Sequence, residues 1–335
     1  MRRNISRVLR RFVLVVLAMS LLGLVGYIAN AQDQDLPPVA TTIPPNNPLQ
    51  VAILRWYPAN LTTTFSVGTT PDGVTFDGAN IWVTNFNSNN VTKLRASDGS
   101  TLGTFAVGTQ PFGVAFDGAN IWVTNVSPGT VTKLRASDGS TLGTFAVGTS
   151  PGAAAFDGTN IWVPNSGSNN VTKLRASDGT TLGTFTVGTN PCGVAYDGTN
   201  IWVANVNSNN VTKLRASDGT ILGTFTVGSG PIGAAFDGAN IWVTNYKSNS
   251  VTKLKASDGS TLGTFAVGTN PYGVAFDGVN IWVANTGSNT VTKLKASNGS
   301  KLGTFAVGAQ PFLGVAFDGA NIWVTNSGSN TISKL

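Results

Sequence analysis

The spacing of tryptophan is the feature that most constrains what this 335-residue chain can fold into. Seven of its eight tryptophans recur at intervals of 40 residues, with one interval of 41 that contains the extra Leu313. They are Trp82, Trp122, Trp162, Trp202, Trp242, Trp282 and Trp323. A fixed period of 20–50 residues is typical of solenoids and propellers.

Each repeat contains four short segments with strand character, which we call a to d in chain order. In the second repeat they read GVAF, NIWVTN, TVTKLRA and TLGTFAVG. Asp-Gly follows segment a and Ser-Asp-Gly follows segment c, and Asp-Gly between β-branched runs is a strong hairpin signal. Four antiparallel strands in 40 residues correspond to one blade of a β-propeller.

The two ends of the repeat array are complementary. The last repeat stops at Leu335 inside segment c, whereas Leu61–Gly68, before the first repeat, reads as a segment d. The sequence therefore predicts an all-β, seven-bladed propeller over residues 61–335, built from four-stranded antiparallel blades. Leu61–Val67 should pair with Thr331–Lys334 as the outer strand of the last blade, because this closure removes open sheet edges.

The N-terminal region predicts export. Five arginines precede the apolar run Phe12–Ile28, and a small-residue A-N-A site ends at Ala31. This order is typical of a signal peptide over residues 1–31. The alternative is an uncleaved membrane anchor, because Phe12–Ala31 is just long enough to span a bilayer. We expect the protein to be secreted, periplasmic or at the cell surface, with residues 32–60 as a Pro-rich linker and no membrane span in the mature chain.

Composition restricts the chemistry. The chain has no His, no Glu and one Cys. It therefore lacks the usual general base and the commonest metal ligand, and no Ser-His-Asp set can exist. We expect no catalytic residue, no metal and no cofactor. Without residues 1–31 the chain has 16 basic and 15 acidic residues, so its net charge gives no reason to expect a nucleic-acid partner.

The repeat sequence P-x-G-V-A-F-D-G followed by IWVTN or IWVAN resembles the YVTN-type β-propeller repeats, which are related to NHL-like repeats. The virginiamycin B lyases have a similar repeat and a seven-bladed form. The resemblance covers residues 61–335 and implies the fold, whereas propellers of this kind carry many activities. The lyase family uses His and an acidic residue with a divalent metal. Because this chain has no His and no Glu, the resemblance assigns it no catalytic residue.

Variation among the copied repeats points to one face. In a four-stranded meander the a–b and c–d turns share a bottom face, and the d–a and b–c loops share a top face. The top loops vary at two positions per repeat, one after the loop Pro and one after the strand-b Asn. Five of these fourteen positions carry large aromatic residues, namely Phe86, Phe112, Tyr246, Tyr272 and Phe312. They predict an aromatic crescent at the channel mouth that binds a glycan, peptide or protein ligand. The alternative is drift of copied repeats at exposed loops.

Other repeated residues have simpler interpretations. The Asp of each F-D-G turn is expected to form the turn through its own backbone, with Ca²⁺ binding as the alternative. Lys93, Arg95 and their copies are expected to be solvated on the blade flanks, with a DNA-binding stripe as the alternative. Cys192 occupies a top-loop position. It is expected to be a plain small residue, with a reactive thiol as the alternative.

The sequence thus predicts an exported, monomeric and non-enzymatic β-propeller that acts as a binding module through its top-face loops. One alternative is a surface or matrix structural protein in which the propeller is mainly a stable spacer. The other is a lyase or hydrolase of the streptogramin-lyase type, against which the absence of His argues.

Overall fold

The computed structural model describes residues 63–335, which form seven four-stranded antiparallel sheets. Contacts between the inner strands of successive sheets, and between the last sheet and the first, close them into a ring. The predicted seven-bladed β-propeller is therefore confirmed. Among these described residues there is no helix with the length and hydropathy needed to span a bilayer. The predicted signal peptide (1–31) and Pro-rich linker (32–60) lie outside the described residues.

The strands follow the predicted order a to d in each blade. Blade 1 comprises β2 (Pro71–Phe76), β3 (Asn80–Asn85), β4 (Asn90–Arg95) and β5 (Thr101–Ala106). Blade 2 comprises β6 (Thr109–Phe116), β7 (Asn120–Ser127), β8 (Thr130–Arg135) and β9 (Thr141–Ala146). Blade 3 comprises β10 (Ala155–Phe156), β11 (Asn160–Asn165), β12 (Asn170–Arg175) and β13 (Thr181–Thr186). Blade 4 comprises β14 (Pro191–Tyr196), β15 (Asn200–Asn205), β16 (Asn210–Arg215) and β17 (Ile221–Thr226).

The remaining blades repeat the pattern, with one exchange at the end. Blade 5 comprises β18 (Pro231–Phe236), β19 (Asn240–Asn245), β20 (Ser250–Lys255) and β21 (Thr261–Ala266). Blade 6 comprises β22 (Pro271–Phe276), β23 (Asn280–Asn285), β24 (Thr290–Lys295) and β25 (Lys301–Ala306). Blade 7 comprises β26 (Pro311–Phe317), β27 (Ile322–Asn326), β28 (Thr331–Lys334) and the N-terminal β1 (Thr64–Ser66).

Strand β1 completes blade 7 as the sequence predicts. Phe65 is paired with Ile332 in an antiparallel ladder. The pairing continues on both sides, since Val67 N donates to Asn330 O at 3.1 Å and Lys334 N donates to Thr63 O at 2.6 Å. The regular strand is shorter than the predicted Leu61–Val67, whose first two residues lie outside the described part of the chain.

The hydrophobic core lies between neighbouring blades. Trp82 of blade 1 packs against Ile121, Val123 and Leu134 of blade 2. Equivalent clusters recur around the ring, and Trp323 of blade 7 packs in the same way on blade 1. Burial of these large side chains removes apolar surface from water at every boundary, which stabilises the stacking of the blades.

The Asp of the F-D-G turn has two roles at each blade. In blade 2, Asp117 Oδ1 accepts hydrogen bonds from the backbone N of Ala119 at 2.9 Å and of Asn120 at 2.6 Å. Its Oδ2 accepts one from Trp122 Nε1 at 2.7 Å. Partial burial alone would raise the pKa of Asp117, but the hydrogen bonds from Trp122, Asn120 and the backbone lower it below its ordinary value. The predicted turn-forming role is confirmed, and the carboxylate also orients the indole of Trp122 through this hydrogen bond.

The expectation for Lys93 and its copies is wrong. In blade 2 the equivalent Lys133 is only 7% exposed. Its Nζ donates to Ala176 O at 2.8 Å in blade 3 and lies 4.9 Å from the Trp122 ring centroid. The long side chain therefore crosses the blade boundary instead of ending in solvent. Arg135, two residues on, is exposed and pairs with Asp138 at 3.2 Å, as expected for a solvated charge.

Candidate ligand-binding site on the top face

The top-face loops are held by hydrogen bonds between neighbouring blades. Gln110, before the loop Pro of blade 2, adopts a left-handed conformation with φ of 56°. Its backbone N donates to Oδ1 of Asn89 in blade 1 at 2.9 Å. Asn89 is itself left-handed with φ of 53°, a conformation that Asn adopts more readily than most residues. The same bond recurs at most blade boundaries, so the loops are built on a rigid frame.

The innermost backbones approach one another closely at the axis. A Cβ on Gly73 would lie 2.5 Å from the carbonyl oxygen of Phe112 in the next blade, so only glycine fits there. Glycines and small apolar residues at this level line a central cavity of about 110 Å³. The residue that precedes Gly73, and its equivalent in each other blade, is therefore held at the channel mouth.

A larger pocket of about 380 Å³ lies at this mouth. Ten of the fourteen variable top-loop positions line it. They are Phe86, Phe112, Val126, Gly152, Ser166, Cys192, Val206, Ile232, Tyr246 and Tyr272. The pocket lies off the axis, because the four variable positions that do not line it belong to blades 1, 6 and 7. They are Asp72, Thr286, Phe312 and Ser327.

The five predicted aromatic residues meet on this face. Tyr246 and Tyr272 have ring centroids 5.4 Å apart, and Tyr272 stacks on Phe312 at 4.6 Å. Phe312 in turn meets Phe112 edge-to-face at 6.3 Å. Phe86 lines the same pocket. All five side chains are half-buried, and none belongs to the clusters between blades. Their role in ligand binding stays a prediction.

The wall opposite the aromatic residues is small and polar. It includes Ser150, Ser166 and Asn190 beside Gly152. The hydroxyl of Ser166 donates to the carbonyl oxygen of Ser150 at 2.9 Å, which fixes its orientation. One side of the pocket can therefore stack against a ring while the other offers hydrogen-bonding groups, a combination common in small-molecule sites.

Sequence reasoning missed the importance of Asp72. This residue is 4% exposed and lies in blade 1, flanked around the ring by Phe112 of blade 2 and Phe312 of blade 7. Within residues 63–335 its carboxylate has no hydrogen-bond donor. Burial raises the pKa of Asp72 to about 8. The available signal was that Asp72 is the one charged residue among the seven positions that follow a loop Pro.

Cys192 lines the pocket from blade 4. Burial, and then the nearby charge of Asp72, raise the pKa of the thiol to about 12. The nucleophilic form of cysteine is the thiolate, so this environment disfavours reactivity. The geometry therefore favours the interpretation of Cys192 as a plain small residue.

The fold and this pocket define the class of protein: a seven-bladed β-propeller with a ligand-sized cavity at the channel mouth. No protein-family model matches the chain, and no curated protein sequence matches it either. Among solved structures, hydrazine synthase of Kuenenia stuttgartiensis is similar with a TM-score of 0.70 and 20% identity, over 80% of this chain and 97% of that one.

Two lyases of similar structure agree with the resemblance found in the repeats. A streptogramin B lyase has a TM-score of 0.70 at 19% identity, over 81% of this chain and 95% of that one. A catalytically inactive virginiamycin B lyase from Staphylococcus aureus with quinupristin also has a TM-score of 0.70 at 19% identity, over 81% of this chain and 98% of that one. At these identities the likeness shows the fold alone.

The divalent metal that the lyase family implies does not fit the residues present here. Between residues 63 and 335, no three side chains of the His, Cys, Asp and Glu types come together as a possible metal site. Asp72 is a single buried carboxyl, and the equivalent positions of the other six blades carry no second carboxylate. Such a set offers too few oxygen ligands for a hard cation.

Proposed function

We propose that this protein is an exported, non-enzymatic binding module that takes its ligand into the top-face pocket. The observation that carries the proposal is the convergence of ten variable loop positions on one cavity of about 380 Å³. Loops on a rigid scaffold are where binding residues are usually placed. The volume lies within the range of roughly 300–1,000 Å³ common for small-molecule sites.

The chemistry of the pocket favours a ligand with a flat apolar part and a polar edge. Tyr246 and Tyr272 supply ring surfaces, and Ser166 and Asn190 supply hydrogen-bonding groups on the other side. Glycan rings and aromatic peptide side chains have this character. A surface or matrix spacer would not need stacked aromatic residues at an open cavity. An enzymatic role is not part of the proposal, since the chain has no His to act as a general base.

A glycan and peptide array probed with the mature protein tests this function. Replacing Phe86 and Tyr272 with Ala should weaken binding of any hit by roughly 1–3 kcal/mol per stacked ring. Thermal stability should change little, because neither residue belongs to a core cluster between blades. Leu102→Ala, on the outer strand β5 and 42% exposed, is the matched control and should bind normally. Hits that bind equally well to the double variant would contradict the proposal.

A further inference from the structure

A groove of about 330 Å³ lies on the bottom face, at the boundary between blades 3 and 4. It shares no lining residue with the top-face pocket. Thr159 and Thr199 line it from the a–b turns of the two blades, and Tyr196 lines it from the end of β14. Ser217 lines it from the c–d turn of blade 4. All four residues carry a hydroxyl group, which can both donate and accept a hydrogen bond.

Three of these hydroxyl groups are departures from the repeat. At the position of Thr159 and Thr199 the other five blades have Ala or Val. At the position of Tyr196 the other six blades have Phe. Each departure adds a hydroxyl group to a turn that otherwise hardly varies, and the ring brings all three to one boundary.

The added hydroxyl groups are available to a ligand, because the turns are held by backbone groups. Thr159 N donates to Asp157 Oδ1 at 2.9 Å, and the same bond forms in blade 4. Within residues 63–335 the hydroxyls of Thr159 and Thr199 make no hydrogen bond, and both residues are exposed. The Tyr196 hydroxyl donates to Gly198 O at 2.6 Å, which leaves its oxygen able to accept.

The two charged groups that line the groove are already paired within the protein. Lys173 Nζ donates to Ala216 O at 2.7 Å and to Ser217 O at 3.0 Å. The Asp157 carboxylate accepts a hydrogen bond from Trp162 Nε1 at 2.7 Å besides those of its turn. A charged ligand would be attracted by one of these groups and repelled by the other. The groove therefore favours a neutral ligand that is rich in hydroxyl groups.

We propose that this groove is a second binding site, which takes a neutral sugar through the hydroxyl groups of Thr159, Tyr196 and Thr199. Sugar hydroxyls also donate and accept, so they can form hydrogen bonds with all three residues without bringing a charge. The volume lies at the lower end of the roughly 300–1,000 Å³ common for small-molecule sites, which suits a monosaccharide or disaccharide. The inference goes beyond the proposed function, because it concerns the opposite face and does not depend on the top-face pocket.

Saturation-transfer NMR and calorimetry with glucose, galactose, N-acetylglucosamine and cellobiose test the inference, with glucosamine and glucuronic acid as charged controls. The triple variant Thr159→Ala, Tyr196→Phe, Thr199→Ala removes the three hydroxyl groups. It should fold normally, because the boundary between blades 1 and 2 has these residues at the equivalent positions, namely Ala79, Phe116 and Ala119. We expect at least one neutral sugar to bind the wild type more tightly than either charged control. The triple variant should bind that sugar roughly tenfold more weakly, since three hydrogen-bonding groups are lost.

The reciprocal variant tests the same chemistry by gain of binding. Ala79→Thr, Phe116→Tyr and Ala119→Thr place the three hydroxyl groups at the boundary between blades 1 and 2, whose other equivalent residues match those of the groove. This variant should bind more sugar molecules per chain than the wild type. An unchanged number would contradict the assignment of binding to these hydroxyls.

The remaining outcomes also decide the inference. It is overturned if no neutral sugar binds the wild type, if the triple variant binds as well as the wild type, or if a charged control binds more tightly. Tyr272→Ala, in the top-face pocket, separates the two sites. Sugar binding that is lost in Tyr272→Ala but kept in the triple variant belongs to the top face, so it supports the proposed function and overturns this inference. Binding that is lost only in the triple variant supports the groove, whatever the array shows for the top face.

Discussion

Trp122 illustrates how a single residue fixes the boundary between two blades. Its indole is fully buried, donates to Asp117 at 2.7 Å and lies 5.6 Å from the ring of Phe145. Lys133 lies over the same ring and continues to a carbonyl of the next blade. Apolar packing, a charge-assisted hydrogen bond and a cation–π contact therefore act on one side chain, and these three contacts are found for each of the seven propeller tryptophans.

Replacing Trp122 with Ala should lower the free energy of unfolding by about 3–5 kcal/mol, because a large cavity opens between blades 2 and 3. Trp122→Phe keeps most of the apolar surface but loses the hydrogen bond to Asp117, so its cost should be smaller. Guanidinium denaturation of both variants measures the difference. A Trp122→Ala protein as stable as the wild type would contradict the packing described for this boundary.

Asp72 should make stability depend on pH in an unusual direction. The unfolded chain loses this proton near the ordinary pKa of 3.8, whereas the folded protein keeps it until about pH 8. Between these values the folded state binds the extra proton, so its stability falls by about 1.4 kcal/mol per pH unit as pH rises. Asp72→Asn should abolish this fall.

Denaturation curves of wild type and Asp72→Asn at several pH values check that expectation. Asp98→Asn is the control, because the pKa of Asp98 lies at about 2 and its charge is constant over the range. Parallel stability profiles for wild type and Asp72→Asn would show that the carboxyl is solvated.

The residues that sequence reasoning misjudged are those whose neighbours come from other blades. The repeat shows that Lys133 recurs, but not that a carbonyl of the following blade, 43 residues away, lies within reach of its Nζ. Asp72 likewise has a partner in another blade, since Thr325 Oγ1 of blade 7 donates to its backbone carbonyl oxygen at 2.8 Å. Arg135 and the F-D-G aspartates were interpreted correctly because their partners lie within five residues.

At the scale of strands, blade 3 departs from the other blades in its inner strand. In blade 1 the hydroxyl of Thr84 accepts from Gly73 N at 2.8 Å and donates to Phe112 O at 2.7 Å. Blade 3 has Pro164 at this position, which has no hydroxyl and no backbone N–H. Its inner strand β10 is reduced to two residues, and Ala153 N donates to Cys192 O directly at 3.0 Å. The repeat pattern predicts the strand but not this shortening.

The N-terminal strand is the element with the clearest test. Deleting residues 61–68 removes β1 and with it Phe65, which packs against Trp323 with ring centroids 5.5 Å apart. The exposed edge of β28 should then lower the melting temperature or cause aggregation. Deletion of residues 32–39 removes the same length from the linker and should leave the melting temperature unchanged. Calorimetry and light scattering measure both effects, and a stable, monodisperse 61–68 deletion would refute the closure.

At the scale of the whole molecule, the architecture was predictable because it follows from the number of copies of each strand in the sequence. Seven copies of strands a to c, six copies of strand d and one N-terminal strand d fit only a ring closed by β1 and β28. The position of the pocket off the axis was not predictable, because it depends on which loop side chains pack together over the channel. Phe312 is an example: it borders the pocket through its stack on Tyr272.

Export is a prediction about the whole chain, because it concerns where the mature protein begins. The A-N-A site predicts that the mature protein begins at Gln32, and mass spectrometry of the exported protein measures this directly. An intact mass that still includes the apolar run Phe12–Ile28 would favour the membrane anchor.

The seven propeller tryptophans have closely similar surroundings, so their fluorescence can be used to follow the structure of the molecule without an added label. Each indole donates to a carboxylate, has a lysine ammonium 4.5–5.1 Å from its ring centroid and a tilted phenylalanine at 5.4–5.6 Å. Chromophores in matching environments emit at nearly one wavelength, so the fluorescence of these seven tryptophans reports the integrity of the blade boundaries. The top-face pocket contains tyrosines but no tryptophan among its lining residues. Occupancy of the cavity should therefore alter the tyrosine signal and leave the tryptophan emission in place.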